Sequence, residues 1–273
     1  MPSVSIIMPT LGRVRYVKRA ITSVFRQTYN DWELIIVDST PNDQIKQIIN
    51  NLNSRRVKYV KTGQRGVSLA RNLGIKSSKG DFIAFIDSDA IWLPKKLEKQ
   101  MRVLTYSDHS YAGVYSGYKA FYETPKGYMV LNILPRYNEK NIFKKLLIYN
   151  CIGTVSTVIL KREHLEQIGL FDEGIPYAED WDLWLRISQR FRWLIVDDIL
   201  VYDFVCIDGL SADLKKVLEG WKILAEKWAA FSKLMLLRYY YYLILLLLLQ
   251  KANNPPLIKY IMRIFSIISK LIY

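Results

Sequence analysis

The chain has 273 residues, of which 51% are hydrophobic, so it can bury a substantial core and is not a disordered protein. Its formal net charge of +14 asks for an acidic partner: nucleic acid, an anionic membrane surface or a phosphorylated substrate. Two cysteines, Cys151 and Cys206, form neither a CxxC pair nor a disulfide framework, which fits a reducing compartment.

Val4-Ser5-Ile6-Ile7-Met8 is a short apolar run ended by Pro9, and it predicts a buried first strand rather than a signal peptide. Val14, Val17, Ile21 and Val24 then recur at helical spacing. Leu34-Ile35-Ile36-Val37 predicts a second strand ending at Asp38, and Val57 to Val60 a third. Val67 to Ile75 reads as a helix, Gly80 breaks the chain, and Phe82-Ile83-Ala84-Phe85-Ile86 is a strand ending at Asp87. Strands alternating with helices imply βαβ units and a mainly parallel sheet, an α/β fold with ligands outside the carboxyl ends of the strands. Three polar clusters fall at those ends: Pro9-Thr10, Asp38-Ser39 and Asp87-Ser88-Asp89.

The middle of the chain is mixed. Tyr111 to Tyr118, Tyr128 to Leu131 and Thr154 to Leu160 read as strands; Asn141 to Tyr149, Arg162 to Ile168 and Ala178 to Gln189 read as helices. After Glu226 there are seven Lys or Arg residues and no acid, in a stretch rich in Leu, Ile and Tyr. Residues 234–249 are nearly all apolar, but the charge-free run Tyr239 to Gln250 is 12 residues, short of the ~20 a spanning helix needs. Basic and apolar together, split by Pro255-Pro256, the tail fits helices lying in a membrane interface; a helical cap or a dimer contact is the alternative. Because the basic surplus sits in an apolar tail, no nucleic-acid partner is expected. The expected domains are residues 1–205, with a nucleotide-binding half (1–110) and an acceptor-binding half (111–205), followed by a helical, membrane-associated region (206–273, contacting the surface through 230–273).

Several residues can carry chemistry. Asp87 and Asp89 offer hard oxygen ligands to Mg²⁺ or Mn²⁺ just past a buried strand. Asp-x-Asp alone is weakly specific, and Asp180-Trp181-Asp182 also matches it. Asp38 can accept hydrogen bonds from a base or ribose. Arg71, on an otherwise apolar helix, needs an anionic partner, either a diphosphate or a surface acid. Glu179-Asp180 opens a helix, where acids favour the dipole or where one can serve as general base. Trp181 and Trp184 would shape a sugar site or fill the core.

Together these pieces resemble the family 2 glycosyltransferases and their GT-A fold. The resemblance is carried by Val4 to Thr10, Gln27-Thr28-Tyr29 with Trp32 to Asp38, Gly66 to Gly74, Gly80 to Asp89, and Asp180 to Arg186. It implies a nucleotide held by Pro9, Thr10, Arg13, Asp38, Arg71, Asp87 and Ser88, commonly a uridine diphosphate sugar. It implies Asp89 as principal metal ligand with Asp87, Asp180 as catalytic base beside Glu179, and Trp181 and Trp184 at the acceptor site. The implied reaction is inverting transfer to a carbohydrate or lipid-linked acceptor, in the cytoplasm at the inner face of the cell membrane. Two features depart from the family pattern: Ser39, where a second Asp is common, and Tyr202-Asp203-Phe204-Val205, where many members carry a His. A sugar-nucleotide pyrophosphorylase or an inactive membrane scaffold of the same fold are the alternatives. The first would want a Gly-rich phosphate loop, and Pro9 to Arg13 contains one Gly.

Overall fold

In the computed structural model of the protein, residues 3–124, 127–134, 142–205, 213–233 and 235 are described. The first half is a βαβ series: β1 (Val4–Thr10), α1 (Val14–Phe25), β2 (Trp32–Asp38), α2 (Gln44–Leu52), β3 (Val57–Lys61), α3 (Val67–Lys76) and β4 (Phe82–Phe85). A short β5 (Ile91–Trp92) and α4 (Lys96–Leu104) follow. The second half contains β6 (Tyr111–Thr124), β7 (Gly127–Ile133), α5 (Ile142–Leu146), a 3-10 turn (Val155–Thr157), β8 (Ile159–Lys161), α6 (Arg162–Ile168), α7 (Glu179–Ser188), β9 (Arg192–Val205) and α8 (Leu214–Lys227).

One sheet runs through both halves in the order β3-β2-β1-β4-β8-β6-β9-β5, with β7 added on β6. Strands β1 to β4 are mutually parallel; β8 joins β4 and β6 antiparallel, while β6 and β9 run parallel. The order 3-2-1-4 reverses direction between β1 and β4, and a crevice opens at such a switch point. The sheet alternates its side chains between two cores. Ile7, Ile35, Ile83 and Phe85 face α3, α7 and α8, whereas Ile6, Met8, Leu34, Ile36 and Ala84 face α1, α2 and α4.

One predicted element takes another form. The strand expected from Thr154 to Leu160 is a 3-10 turn before the short β8. There the Thr157 hydroxyl donates to the Thr154 carbonyl at 2.8 Å, a local side-chain bond that competes with ladder pairing. Helix α2 and strands β5 and β9 escaped the sequence reading, whereas α8 falls in the region 206–273 expected to be helical. The described part of the tail is not a separate layer: Leu224, Ala225, Trp228 and Met235 complete the core on the α7 side. Among the described residues no helix is long and apolar enough to cross a membrane, and the apolar run 236–273 lies outside them.

Candidate active site

Parallel pairing brings the predicted strand ends to one rim. Thr10 pairs with Asp38 in register, and Ile7 pairs with Phe85, so the turn after β1 lies between those after β2 and β4. Pro9 falls beyond the last β1–β4 pair, where its missing N–H deprives that ladder of no bond.

The turn after β1 is bound to the turn after β2. The Gly12 N–H donates to the Thr40 hydroxyl at 2.6 Å, and the Ser39 N–H to the Thr10 carbonyl at 2.9 Å. Asp38 anchors this junction. It is fully buried and accepts from the Thr40 N–H (2.8 Å), the Tyr59 hydroxyl (2.9 Å) and Lys61 Nζ (3.4 Å). Such a carboxylate organises the rim, tying the turn after β2 to β3 through Tyr59 and Lys61. Thr40, Tyr59 and Lys61 had no motif to announce them.

Arg71 is the hub. Gly74, one turn further along α3, lets the helix lie on β1: a Cβ there would come within 2.4 Å of Ile7 Cγ2. This close approach carries the buried Arg71 to the rim. Its Nη1 donates to Glu179 Oε1 at 2.5 Å and its Nη2 to Asp87 Oδ1 at 2.8 Å. Burial works against the charge, but these two acids outweigh it and hold the guanidinium above its ordinary range. Asn72 fastens the other side, exchanging bonds of 3.0 Å with the Phe171 carbonyl and N–H. Residues in the helix Gly66 to Gly74 thus join β4 to the approach to α7 across about a hundred residues of sequence, a join that has no local signal.

Asp87 is fixed from a third side, its N–H donating to the buried Ser156 hydroxyl at 3.0 Å. Two residues on, Asp89 Oδ2 accepts from Arg13 Nη1 at 2.9 Å. Arg13 itself sits in the left-handed region, φ 56°, as the chain turns into α1. Ser88, between the two acids, is half-buried. Asp87 and Asp89 remain partly exposed at 28% and 22% of their side-chain surface. Two hard carboxylates of this kind fit Mg²⁺ or Mn²⁺, which takes its remaining ligands from water and phosphate. Among the described residues no third acid, His or Cys brings a ligand atom within 4.8 Å of both carboxylates.

Helix α7 is entered through Ala178, also left-handed at φ 64°, and places Glu179 and Asp180 in its first turn. The Trp181 N–H donates to Asp180 Oδ1 at 2.6 Å. Burial first, and then the charges of Glu179 and Asp87, push the Asp180 carboxyl up to about 7, against the opposing pull of Arg71 and that N–H. A carboxyl so tuned is suited to accept a proton near neutrality.

The chain matches the glycosyl transferase family 2 model over residues 5–169, more than half its length. It is 32% identical over 189 residues to the UDP-Glc:alpha-D-GlcNAc-diphosphoundecaprenol beta-1,3-glucosyltransferase of Escherichia coli, covering 68% of this chain and 70% of that one.

The chain belongs to glycosyltransferase family 2.

An uncharacterised glycosyltransferase of Rickettsia typhi is 29% identical over 238 residues, spanning 85% of this chain and 72% of the relative. The fold is shared with the mannosyltransferase PcManGT of Pyrobaculum calidifontis in complex with GDP-Man and Mn²⁺, at TM-score 0.64 and 17% identity, over 93% of this chain and 74% of that one. It is likewise shared with S. aureus TarS 1–349 in complex with UDP, at TM-score 0.58 and 18% identity, over 83% and 72%. The transferase therefore has the GT-A architecture, a mixed α/β sheet whose first four strands are parallel.

Within this family setting the two Asp-x-Asp sequences separate. Asp182, the last residue of Asp180-Trp181-Asp182, is fully buried and held by Arg186 Nε at 2.8 Å, Trp228 Nε1 at 3.0 Å and Lys227 Nζ at 3.0 Å. It ties α7 to α8 and faces no cleft. The two tryptophans expected at the acceptor site lie in the core. Trp184 is fully buried and packs edge-on against Trp193, and the buried Trp181 donates from Nε1 to the Leu146 carbonyl at 2.7 Å. Both anchor α7 in the core and so orient Glu179 and Asp180.

Proposed function

We propose that the transferase moves a sugar from a nucleoside-diphosphate sugar, of the uridine type, onto an acceptor hydroxyl with inversion, using Asp180 as base. The observation that carries this reading is the chain Asp180–Glu179–Arg71–Asp87, which joins a carboxyl tuned near neutrality to a buried cation at the β1–β4 switch point. In the proposed reaction the acceptor oxygen attacks the anomeric carbon as the bond from that carbon to the diphosphate oxygen breaks. The acceptor proton passes to Asp180, and the nucleoside diphosphate departs with the bonding electrons. Arg71 and Arg13 supply positive charge toward the phosphates, which stabilises the leaving group more in the transition state than before it.

Asp87 and Asp89 would hold a divalent cation, Mg²⁺ or Mn²⁺, which when bound neutralises charge on the departing diphosphate. Arg13 would then exchange its bond to Asp89 for one to phosphate. Pro9, Thr10 and Ser88 would line the nucleotide side. Asp38 would hold the loop after β2 in place for it. Lipid-linked glycan is the proposed acceptor class: the E. coli relative's name specifies a diphosphoundecaprenol acceptor, and the basic, apolar tail suits a membrane surface facing the cytoplasm.

The test is donor binding and turnover across a panel of nucleotide sugars, with and without Mn²⁺, in the wild type and Asp89→Ala. Metal-enhanced binding of one donor, lost with turnover in the variant while the melting temperature holds, is expected. Undiminished metal-dependent turnover in Asp89→Ala removes the metal role.

A further inference from the structure

The protein has two histidines, His109 and His164, and the fold brings them together. His109 lies in the turn between α4 and β6, and His164 in α6 beside Glu163. Arg162, at the start of α6, pairs through its N–H with the Asp81 carbonyl, just before β4 begins. The cluster thus sits toward the amino end of β4, whereas the active-site rim lies at its carboxyl end.

The three side chains each offer one ligand atom, all within 4.8 Å of one another. His109 Nδ1 stands 3.2 Å from Glu163 Oε1, and His164 Nδ1 stands 3.5 Å from the same oxygen. In a tetrahedral zinc site with bonds near 2.0–2.1 Å, neighbouring ligand atoms lie about 3.4 Å apart. The two separations to Glu163 bracket that value.

The hydrogen bonding of His164 sharpens the case. Its Nε2 lies 2.8 Å from the His109 carbonyl oxygen. A carbonyl only accepts, so Nε2 carries the hydrogen, and in the neutral ring Nδ1 is a lone pair. That Nδ1 is buried, in a residue 4% exposed, and makes no hydrogen bond. A lone pair beside a carboxylate oxygen is relieved by a proton on that nitrogen or by a cation held between the two groups. A ring nitrogen that donates to a backbone carbonyl while its partner nitrogen faces an acid is also the arrangement that orients metal-binding histidines. Phe191, edge-on to the His164 ring with centroids 4.2 Å apart, walls the site on one side.

We propose that His109, Glu163 and His164 form a second metal site, for a borderline transition-metal dication of the Zn²⁺ class. Two imidazoles and one carboxylate select such an ion over Mg²⁺, which prefers oxygen and octahedral geometry. His109 and Glu163 are exposed, at 89% and 55% of their side-chain surface, so the ion has an entry path and retains an open coordination position. Bound there, it clips the α4–β6 turn to α6 and stabilises the folded chain.

The full chain, stripped with a chelator, is titrated with Zn²⁺ by calorimetry and with Co²⁺ by visible absorption. The variants are His109→Ala, Glu163→Gln and Asp89→Ala. His109 and Glu163 are exposed and outside the core, so these variants test the site without the folding risk of changing His164. One zinc site is expected in the wild type and in Asp89→Ala. Affinity should fall at least about tenfold in His109→Ala and in Glu163→Gln, and the zinc-induced rise in melting temperature should vanish with it. The proposal is overturned if the wild type binds no zinc, if both variants bind as the wild type does, or if Asp89→Ala alone abolishes binding.

Discussion

The pH dependence of transfer tests the proposed base directly. Asp180 is pushed up to about 7 from an ordinary 3.8. If its carboxylate takes the acceptor proton, kcat/KM follows the ionised fraction of the free enzyme. A group with a pKa near 7 is ~9% ionised at pH 6 and ~91% at pH 8, a rise of about tenfold across that interval. Glu179 is the largest charge raising Asp180, so Glu179→Gln should move the inflection toward lower pH. Asp180→Asn should retain donor binding while kcat falls by about 10²-fold or more. A substrate-free readout follows from linkage. The folded carboxyl holds its proton more tightly than the unfolded one, so its contribution to stability is full below about pH 3.8 and is lost as pH rises through about 7. Asn cannot ionise, so the variant should gain stability relative to the wild type from pH 5 to pH 8. Steady-state rates and melting curves across that range check both. A profile flat between pH 6 and 8, or an inflection that Glu179→Gln leaves in place, would refute the assignment.

Asp182→Asn should behave quite differently from Asp180→Asn. It breaks a fully buried carboxylate held by Arg186, Trp228 and Lys227, and should cost about 3–5 kcal/mol in urea denaturation. Gly74→Ala drives a Cβ into Ile7 and should lower stability by about 1–3 kcal/mol. Because α3 then shifts Arg71, donor affinity should fall as well, measured by titration. Ending the chain after residue 235, which keeps Met235 in the core, should release the protein from anionic vesicles in a sedimentation assay. Continued sedimentation would remove the anchor from the tail.

The sequence by itself determined the parallel first half. Residues 34–37 and 82–86 are unbroken apolar runs, residues 4–8 are interrupted only by Ser5, and a strand buried on both faces demands that composition. Each run ends in polar residues, so the rim was legible too, and five ordered motifs were enough to resemble the family. Tertiary structure alone decided which carboxylates are buried and which partners they meet. Asp38, Asp87, Asp180 and Asp182 look alike in sequence, yet Asp38 and Asp182 are fully buried supports, while Asp87 and Asp180 meet around Arg71 and Glu179. The tryptophans of α7 likewise went to the core, because that helix must be gripped on its inner side for its first turn to be fixed. The pairing of His109 with His164 could not be read either, since it depends on β8 crossing back between β4 and β6. Periodicity reports how much of an element is buried; it carries no information on which distant elements supply the partners, and charge chemistry depends on partners.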